Sequence, residues 1–275
     1  MSQKITFIGG GNMASSLISG LISKHYARSD ITVAEPDQQK CHSLQQQFGI
    51  NTTTDSQQAI AAADIIVLAV KPQVMQSVCK DIASGVQKNK ALIISIAAGL
   101  LSKDISRWLG DNISLVRCMP NTPSLLNQGA TGLYANENVS AEQKQQADHI
   151  LASAGVNVWV DDEKLLDAVT AVSGSGPAYY FLFMEAMQKA AIKLGLDAQQ
   201  ARTLSLHTAL GAARMALESD EDAASLRARV TSKGGTTEQA INTFEAHQLE
   251  DIVMQAMQAA NDKAIELAEI LGKDE

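Results

Sequence analysis

The chain has 275 residues, 45% of them hydrophobic, which exceeds one ordinary domain and is enough to bury two cores of moderate size. Its 22 basic residues are outweighed by 30 acidic ones, and the formal net charge of -8 argues against a general attraction to nucleic acid or to an anionic membrane surface. Any anion it binds must be caught locally.

The longest apolar stretches, such as residues 59–70, are short and interrupted by Asp64, so no membrane span is expected. The first residues run into a strand without the apolar core and cleavage site of a secretory signal, which predicts a cytoplasmic protein. Cys41, Cys79 and Cys118 are odd in number and far apart, a pattern of reduced thiols rather than disulfides. His25, His42, His149, His207 and His247 form no HxxH or HxxxH pair, and no metal site is expected.

In chain order, residues 4–8 read as a buried strand that turns at once into a helix through Gly9, Gly10, Gly11, Asn12, Met13 and Ala14. Almost bare backbone between strand and helix is how a dinucleotide pyrophosphate is usually held. The first glycine permits the tight turn, Gly11 lets the main chain approach the phosphates, and small Ala14 allows close helix packing. Met13, Leu17, Ile18, Leu21 and Ile22 recur at helical spacing, and residues 31–34 form a second strand that completes a βαβ unit. Residues 38–48 read as helix, 65–69 as strand, then a helix opened by Pro72, with further strands at 92–96 and 114–119. This alternation predicts an α/β fold with a Rossmann-type, doubly wound parallel sheet. Its ligand-binding loops should lie at the carboxyl ends of the strands, at residues 9–14, 35–37, 70–72, 97–99 and 119–123.

Beyond residue 161 apolar residues recur every three or four positions through 177–194, 201–217, 240–244 and 252–271, which predicts an all-helical domain. The expected division is therefore a dinucleotide-binding domain over 1–160 and a helical domain over 161–275 that binds substrate and forms a dimer. Alanines such as Ala186, Ala190 and Ala209 would let its helices approach closely. An apolar bundle of this size would be costly to expose, hence the expected dimerisation.

Several positions are candidates for chemistry. Glu35, ending the second strand, stands where a Rossmann acid bonds the adenosine ribose; this favours NADH over NADPH unless Lys40 or Arg28 offsets its charge. Val70, Lys71 and Pro72 join a strand end to a helix start whose amides can face a phosphate. Ala97, Ala98 and Gly99 have side chains small enough for a flat ring to lie on backbone, or are plain turn residues. Arg117 to Pro123 form a rigid loop in which Asn121 is a candidate for positioning the nicotinamide, with Arg117 either a contact or an ion-pair partner. Ser173, Gly174, Ser175, Gly176 and Pro177 open the long apolar helix as a cap or a close-packing site. Ser232, Lys233, Gly234, Gly235, Thr236, Thr237 and Glu238 make a glycine-rich bend whose amides and hydroxyls can hold a small carboxylate.

Six of these segments, FIGGGNMA, AVKPQ, SIAAG, RCMPNTP, AVSGSGPAY and TSKGGTTEQAI, occur in an order that closely resembles the pyrroline-5-carboxylate reductases over nearly the whole chain. The resemblance implies a Rossmann domain and a helical domain interleaved with its partner's. It also implies homodimers, often assembled into decamers, NADPH or NADH as cofactor, and a cyclic imino acid as substrate, reduced to proline. Carried over, nucleotide contacts fall on residues 9–14, 70–72 and 97–99, and substrate contacts on 232–237, with the Thr237 hydroxyl on the ring nitrogen and Asp220 nearby. Lys233 stands where the family usually has proline.

Hydroxyacid dehydrogenases of the 6-phosphogluconate and hydroxyisobutyrate type are the alternative enzyme class. Their catalytic lysine follows the last glycine of a glycine-rich helix start by four residues, and the corresponding count from Gly176 reaches Tyr180. A protein that only binds the nucleotide is a further alternative.

Overall fold

The computed structural model describes residues 3–273. The chain packs as two compact units: one runs from the amino terminus to Ser175 and takes back the chain from Ala260 onward, and the other is Gly176–Ala259.

The strands of the first unit are Ile5–Ile8 (β1), Ile31–Ala34 (β2), Asn51–Thr53 (β3), Ile65–Leu68 (β4), Leu92–Ser95 (β5), Leu115–Met119 (β6), Gly129–Ala135 (β7) and Gly155–Trp159 (β8). They form one sheet in the order β3-β2-β1-β4-β5-β6-β7-β8, with every neighbouring pair parallel except β6 and β7. The central strands are continuous apolar runs because helices cover both faces. On one face Ile5, Phe7 and Val33 pack with Leu17, Leu21 and Leu44, from helices Asn12–Ser23 (α1) and Gln38–Phe48 (α2). On the other, Ile8, Ile66 and Leu68 pack with side chains that follow the short helix Ser56–Ile60 (α3). These include Met75 and Ile82 of Pro72–Asn89 (α4) and Ile105 and Trp108 of Ser102–Leu109 (α5). Helix Ala141–Leu151 (α6) packs on the same face as α1 and α2, and Leu165–Val169 (α7) packs against β7 at Gly132.

The expected strands at residues 4–8, 31–34, 65–69, 92–96 and 114–119 form β1, β2, β4, β5 and β6. Three more flank them. β3 is polar, β7 carries two glycines, and β8 alternates partly buried with exposed residues at the sheet edge. None has the unbroken apolar signature of a strand buried on both faces.

The boundary between units falls later than the expected division at 160 and 161. Val169, on α7, lies against Gly132 of β7, where an added Cβ would stand 2.6 Å from Val169 Cγ1, so residues 165–169 are packed onto the sheet. The carboxyl end of the chain returns to the same unit: Leu271 packs against the α4–α5 core, and Arg107 donates to Gly272 O at 2.8 Å.

The second unit contains Gly176–Lys193 (α8), Ala198–Glu218 (α9), Ala223–Arg229 (α10), Thr236–Ala246 (α11) and the first part of Leu249–Leu271 (α12). Asp197 caps α9 through the Gln200 amide and Asp222 caps α10 through that of Ser225. The Phe183 and Phe244 rings meet at a 42° tilt with centres 6.1 Å apart. Tyr180, Phe181, Leu182, Leu204, Leu210 and Met254 are nevertheless exposed within the single chain. Among the described residues no helix is long and apolar enough to cross a membrane, and no group of three metal-ligating side chains gathers. Cys41, Cys79 and Cys118 are free and buried, and burial pushes the Cys79 thiol up to about 12.

Gly20 shows how closely α1 is seated, because an added Cβ would stand 2.3 Å from the Ser153 carbonyl oxygen, which is backbone and cannot rotate away. Gly20→Ala is expected to cost about 3 kcal/mol in urea unfolding, the upper range for overpacking.

Candidate functional site

The sheet register brings the sequence-predicted loops to one edge. Ile8 lies opposite both Ala34 and Leu68, Leu68 opposite Ser95, and Ser95 opposite Arg117. The residues that follow, 9–14, 35–37, 70–72, 97–99 and 119–123, therefore leave the sheet side by side. β1 sits between β2 and β4, where the strand order reverses and α/β sheets bind their ligands.

The three glycines of the first turn do different work. At Gly9, φ is +100° and an added Cβ would stand 2.7 Å from Ala69 O, so the turn needs glycine to pass the end of β4. At Gly10 a Cβ would meet Leu44 Cδ1 at 2.5 Å, and the amide donates to Glu35 Oε2 at 3.0 Å. Gly11 is exposed, has φ -75°, and nothing lies within 4 Å of where its Cβ would be. The fold itself makes no demand for glycine there, so a cradle stays open above the main chain. Asn12 is exposed and Met13 half-buried in the first turn of α1, while Ala14 is buried in the core.

Helix capping separates these loops from ordinary ones. Side chains cap α2 (Asp37), α3 (Asp55), α6 (Ser140), α9 (Asp197) and α10 (Asp222). Gly11, Lys71 and Gly235, the N-caps of α1, α4 and α11, provide no side-chain hydrogen bond. Helix starts of this kind keep free amides and a partial positive charge for an external anion. α5 also lacks a cap of its own, but Glu163 accepts the Ser102 amide at 2.6 Å and its hydroxyl at 2.7 Å.

Other predicted residues are engaged within the protein. Glu35 is nearly buried; besides Gly10 it accepts the Asp37 amide at 3.3 Å, with Lys40 Nζ 3.9 Å away. The carboxylate is turned under the glycine turn. Arg28 donates to Phe48 O and precedes β2, at the opposite end of that strand from Glu35, so it cannot offset the charge there. Arg117 is buried and pairs with Glu163 at 3.1 Å, which makes it the ion-pair partner of the two expected roles. Asn121 donates to Ser173 O at 3.0 Å and accepts the Ala130 amide at 2.9 Å, so its side chain fixes the 119–123 loop. Gly174 closes on Met119, whose Cε would stand 2.6 Å from an added Cβ, and the Thr170–Gly174 segment is a π turn. Val70 is half-buried, Lys71 exposed, Ala97 buried and Ala98 exposed. Gly99, at φ +69°, faces Leu267 and Leu271 of α12.

In the second unit, Gly234 (φ +77°) and Gly235 form the bend, with the Gly235 amide bonded to Ser232 O at 3.0 Å. The Gly234 amide donates to Glu238 Oε2 at 2.7 Å, so one expected anion donor already holds a carboxylate. Among the described residues the hydroxyls of Ser232, Thr236 and Thr237 have no partner, unlike those of Thr231 and Thr243, which bond helix carbonyls. Lys233 is exposed. Asp220 is exposed in the connection between α9 and α10. The contributions of Glu163 and Glu238 were not expected from sequence. Only Glu238 carried a signal, as an acid at the third position of a helix.

A separate hollow of about 370 Å³, lined by Lys4, Thr6, Asp30, Thr32 and Asn51, lies on the face of the sheet away from α1. Its Thr6 and Asn51 side chains are satisfied by Ala59 O and Ser29 O, which marks it as a self-bonded polar face.

A glycine turn at the switch point of a parallel sheet, followed by a helical unit, defines a dinucleotide-dependent oxidoreductase. Residues 4–99 match the model for coenzyme F420-dependent NADP oxidoreductases and residues 163–267 that for pyrroline-5-carboxylate reductase dimerisation. A pyrroline-5-carboxylate reductase of Pseudomonas aeruginosa is 50% identical over 272 residues, covering 99% of each chain. The solved pyrroline-5-carboxylate reductase of Coxiella burnetii superposes with a TM-score of 0.95 at 44% identity, covering 98% of this chain and 99% of its own. The Plasmodium falciparum pyrroline carboxylate reductase, solved with NADP bound, gives 0.84 at 30% identity over 97% and 98%. The chain belongs to the pyrroline-5-carboxylate reductase family.

The empty space at Gly11 yields a sharp expectation. Gly11→Val should leave the urea midpoint nearly unchanged yet weaken nucleotide binding, read by fluorescence titration, by at least about tenfold, because the side chain fills the phosphate approach. Gly10→Val should lower stability itself.

Proposed function

We propose that this protein reduces 1-pyrroline-5-carboxylate to L-proline, the last step of proline biosynthesis, with NADPH or NADH as the reductant. The observation that carries the reading is the pair of uncapped, glycine-opened helix starts, at Gly11 and Gly235, in a chain of this family. The open cradle at Gly11 fits a pyrophosphate, with residues 70–72 and 97–99 lining the same sheet edge. When bound there, the reduced nicotinamide supplies a hydride to C5 of the cyclic imine.

The protein's residues then have few demands to meet. A protonated or hydrogen-bonded imine is already electrophilic, so the site must orient more than it must protonate. In this reading the Thr237 hydroxyl, unpartnered in the chain, holds the ring nitrogen. Amides of residues 232–237 other than those of Gly234 and Gly235, which are bonded within the chain, take the carboxylate, and Asp220 adds an acidic group near the substrate. The C=N π pair becomes the nitrogen lone pair as hydride adds at carbon, and a proton on nitrogen completes the amine.

The exposed apolar side chains of α8 and α9 support a homodimer formed through the second unit, which matches the dimerisation model of the family. Decamers assembled from such dimers are the proposed larger form. Three free, buried thiols support a cytoplasmic location, where cysteines stay reduced.

Thr237→Ala is expected to lower kcat/KM for pyrroline-5-carboxylate at least several-fold, with Thr237→Ser recovering most of it. Unchanged kinetics would show the hydroxyl dispensable. Following NADPH and NADH oxidation with this substrate and its six-membered homologue tests the substrate class directly. Sedimentation should give at least twice the chain mass, and a monomer would remove the dimer.

A further inference from the structure

Two of the loops at the carboxyl edge of the sheet are fastened by hydrogen bonds to neighbouring strands and loops. The Gly9 amide bonds Ala34 O at 2.8 Å, Gly10 bonds Glu35, and Asn121 bonds Ala130 and Ser173. The loop after β5 leans instead on the far end of the chain. Gly99, at φ +69°, faces the last turns of α12, where an added Cβ would stand 3.2 Å from Leu271 Cδ1 and 3.5 Å from Leu267 Cβ. Leu271 also packs on the cluster that holds Ala97, Leu100 and Ile105, on either side of that glycine. Gly272 is pressed onto α5. An added Cβ there would stand 2.3 Å from Asp104 Oδ2, and Gly272 O accepts Arg107 Nη2 at 2.8 Å while Arg107 Nη1 holds Asp104 Oδ1 at 3.1 Å. Buried Ala264 and Ala268 continue the same face of α12 at helical spacing. Chain ends commonly fray unless tied down, and this one is tied to one edge loop and the helix that follows it.

From this seating we infer that Leu271 is a positioning residue of the reduction, holding the 97–99 loop, and through it the nicotinamide ring, in register for hydride transfer. The inference rests on the nucleotide-site reading above, in which the backbone of residues 97–99 carries the flat ring. Ala97, Ala98 and Gly99 have no side chain longer than a methyl, so the position of the main chain itself sets how deep the ring sits. A displacement of the reacting atoms by about 1 Å costs on the order of 100-fold in rate. Glu163 fixes the exit of the loop at the Ser102 amide and hydroxyl, which leaves its apex as the part that α12 sets.

Leu271→Ala removes the carbon that faces Gly99. In single-turnover stopped flow at saturating NADPH and pyrroline-5-carboxylate, its rate constant for nucleotide oxidation should fall about tenfold. A smaller folded fraction would lower only the amplitude. ADP-ribose, which lacks the nicotinamide ring, should bind the variant within about twofold of wild type by isothermal titration. Leu271→Met, of similar volume, should recover most of the rate. Leu271→Val, a milder trim of the same carbons, should move the rate in the same direction and serves if the alanine variant does not fold. Val86→Ala, buried at the opposite end of α4, is the control: it should lower the urea midpoint and leave the rate constant unchanged. An unchanged rate constant in the Leu271 variants, or an equal fall in Val86→Ala, would make the helix end a seal on the core and overturn the inference. Loss of ADP-ribose affinity in step with the rate would overturn it too, because the whole cradle would have moved. Failure of ADP-ribose to bind the wild type would overturn the nucleotide site and this inference together.

Discussion

An α-helix begins with amides that its own backbone cannot satisfy, and where no side chain bonds them something outside the helix must. Five helices of this chain resolve the matter locally, with Asp37, Asp55, Ser140, Asp197 or Asp222 turned back onto the first turn. Those beginning after Gly11, Lys71 and Gly235 do not. Two start at the carboxyl edge of the sheet and one in the glycine bend of the helical unit, so the unanswered donors mark where anionic ligands are expected. This is a local device, and an acidic chain has need of one.

Around these openings the protein uses buried charges as fasteners. Glu35 ties the glycine turn to the end of β2, and Arg117 with Glu163 ties β6 to the start of α5. Asn121 joins its loop to Ser173 and Ala130. Glu35, Arg117 and Asn121 are each paired with a main-chain partner or an opposite charge, as their desolvation demands. These contacts hold the loops at the carboxyl edge of the sheet at fixed positions without placing a strong acid or base among them. That suits hydride transfer to an imine, where orientation carries the reaction.

The two units solve the burial problem differently. The sheet unit closes both faces with its own helices and recruits the carboxyl end of the chain, through Leu267 and Leu271, to cover Gly99. The helical unit leaves large apolar side chains such as Phe181 and Leu210 uncovered in the single chain. Its α8 is apolar around much of its circumference, a pattern of a helix that needs more than one packing partner.

Sequence alone determined the strand and helix order of the central sheet, the glycine turn at its switch point, the helical second half and the family, because these rest on local periodicity and contiguous motifs. The edge strands β3 and β8, and β7 beside the latter, were hidden because strands open on one side or rich in glycine lack an unbroken apolar run. The roles of individual polar residues depended on tertiary structure. Glu35, Arg117 and Asn121 look alike in sequence whether they face a ligand or the protein, and only the fold supplies the amides and charges, from Gly10, Glu163, Ser173 and Ala130, that turn them inward. The same holds for glycine: Gly9, Gly10 and Gly11 are one run of letters, and only neighbours brought in by β4 and α2 reveal that two are required by packing while the third is left open.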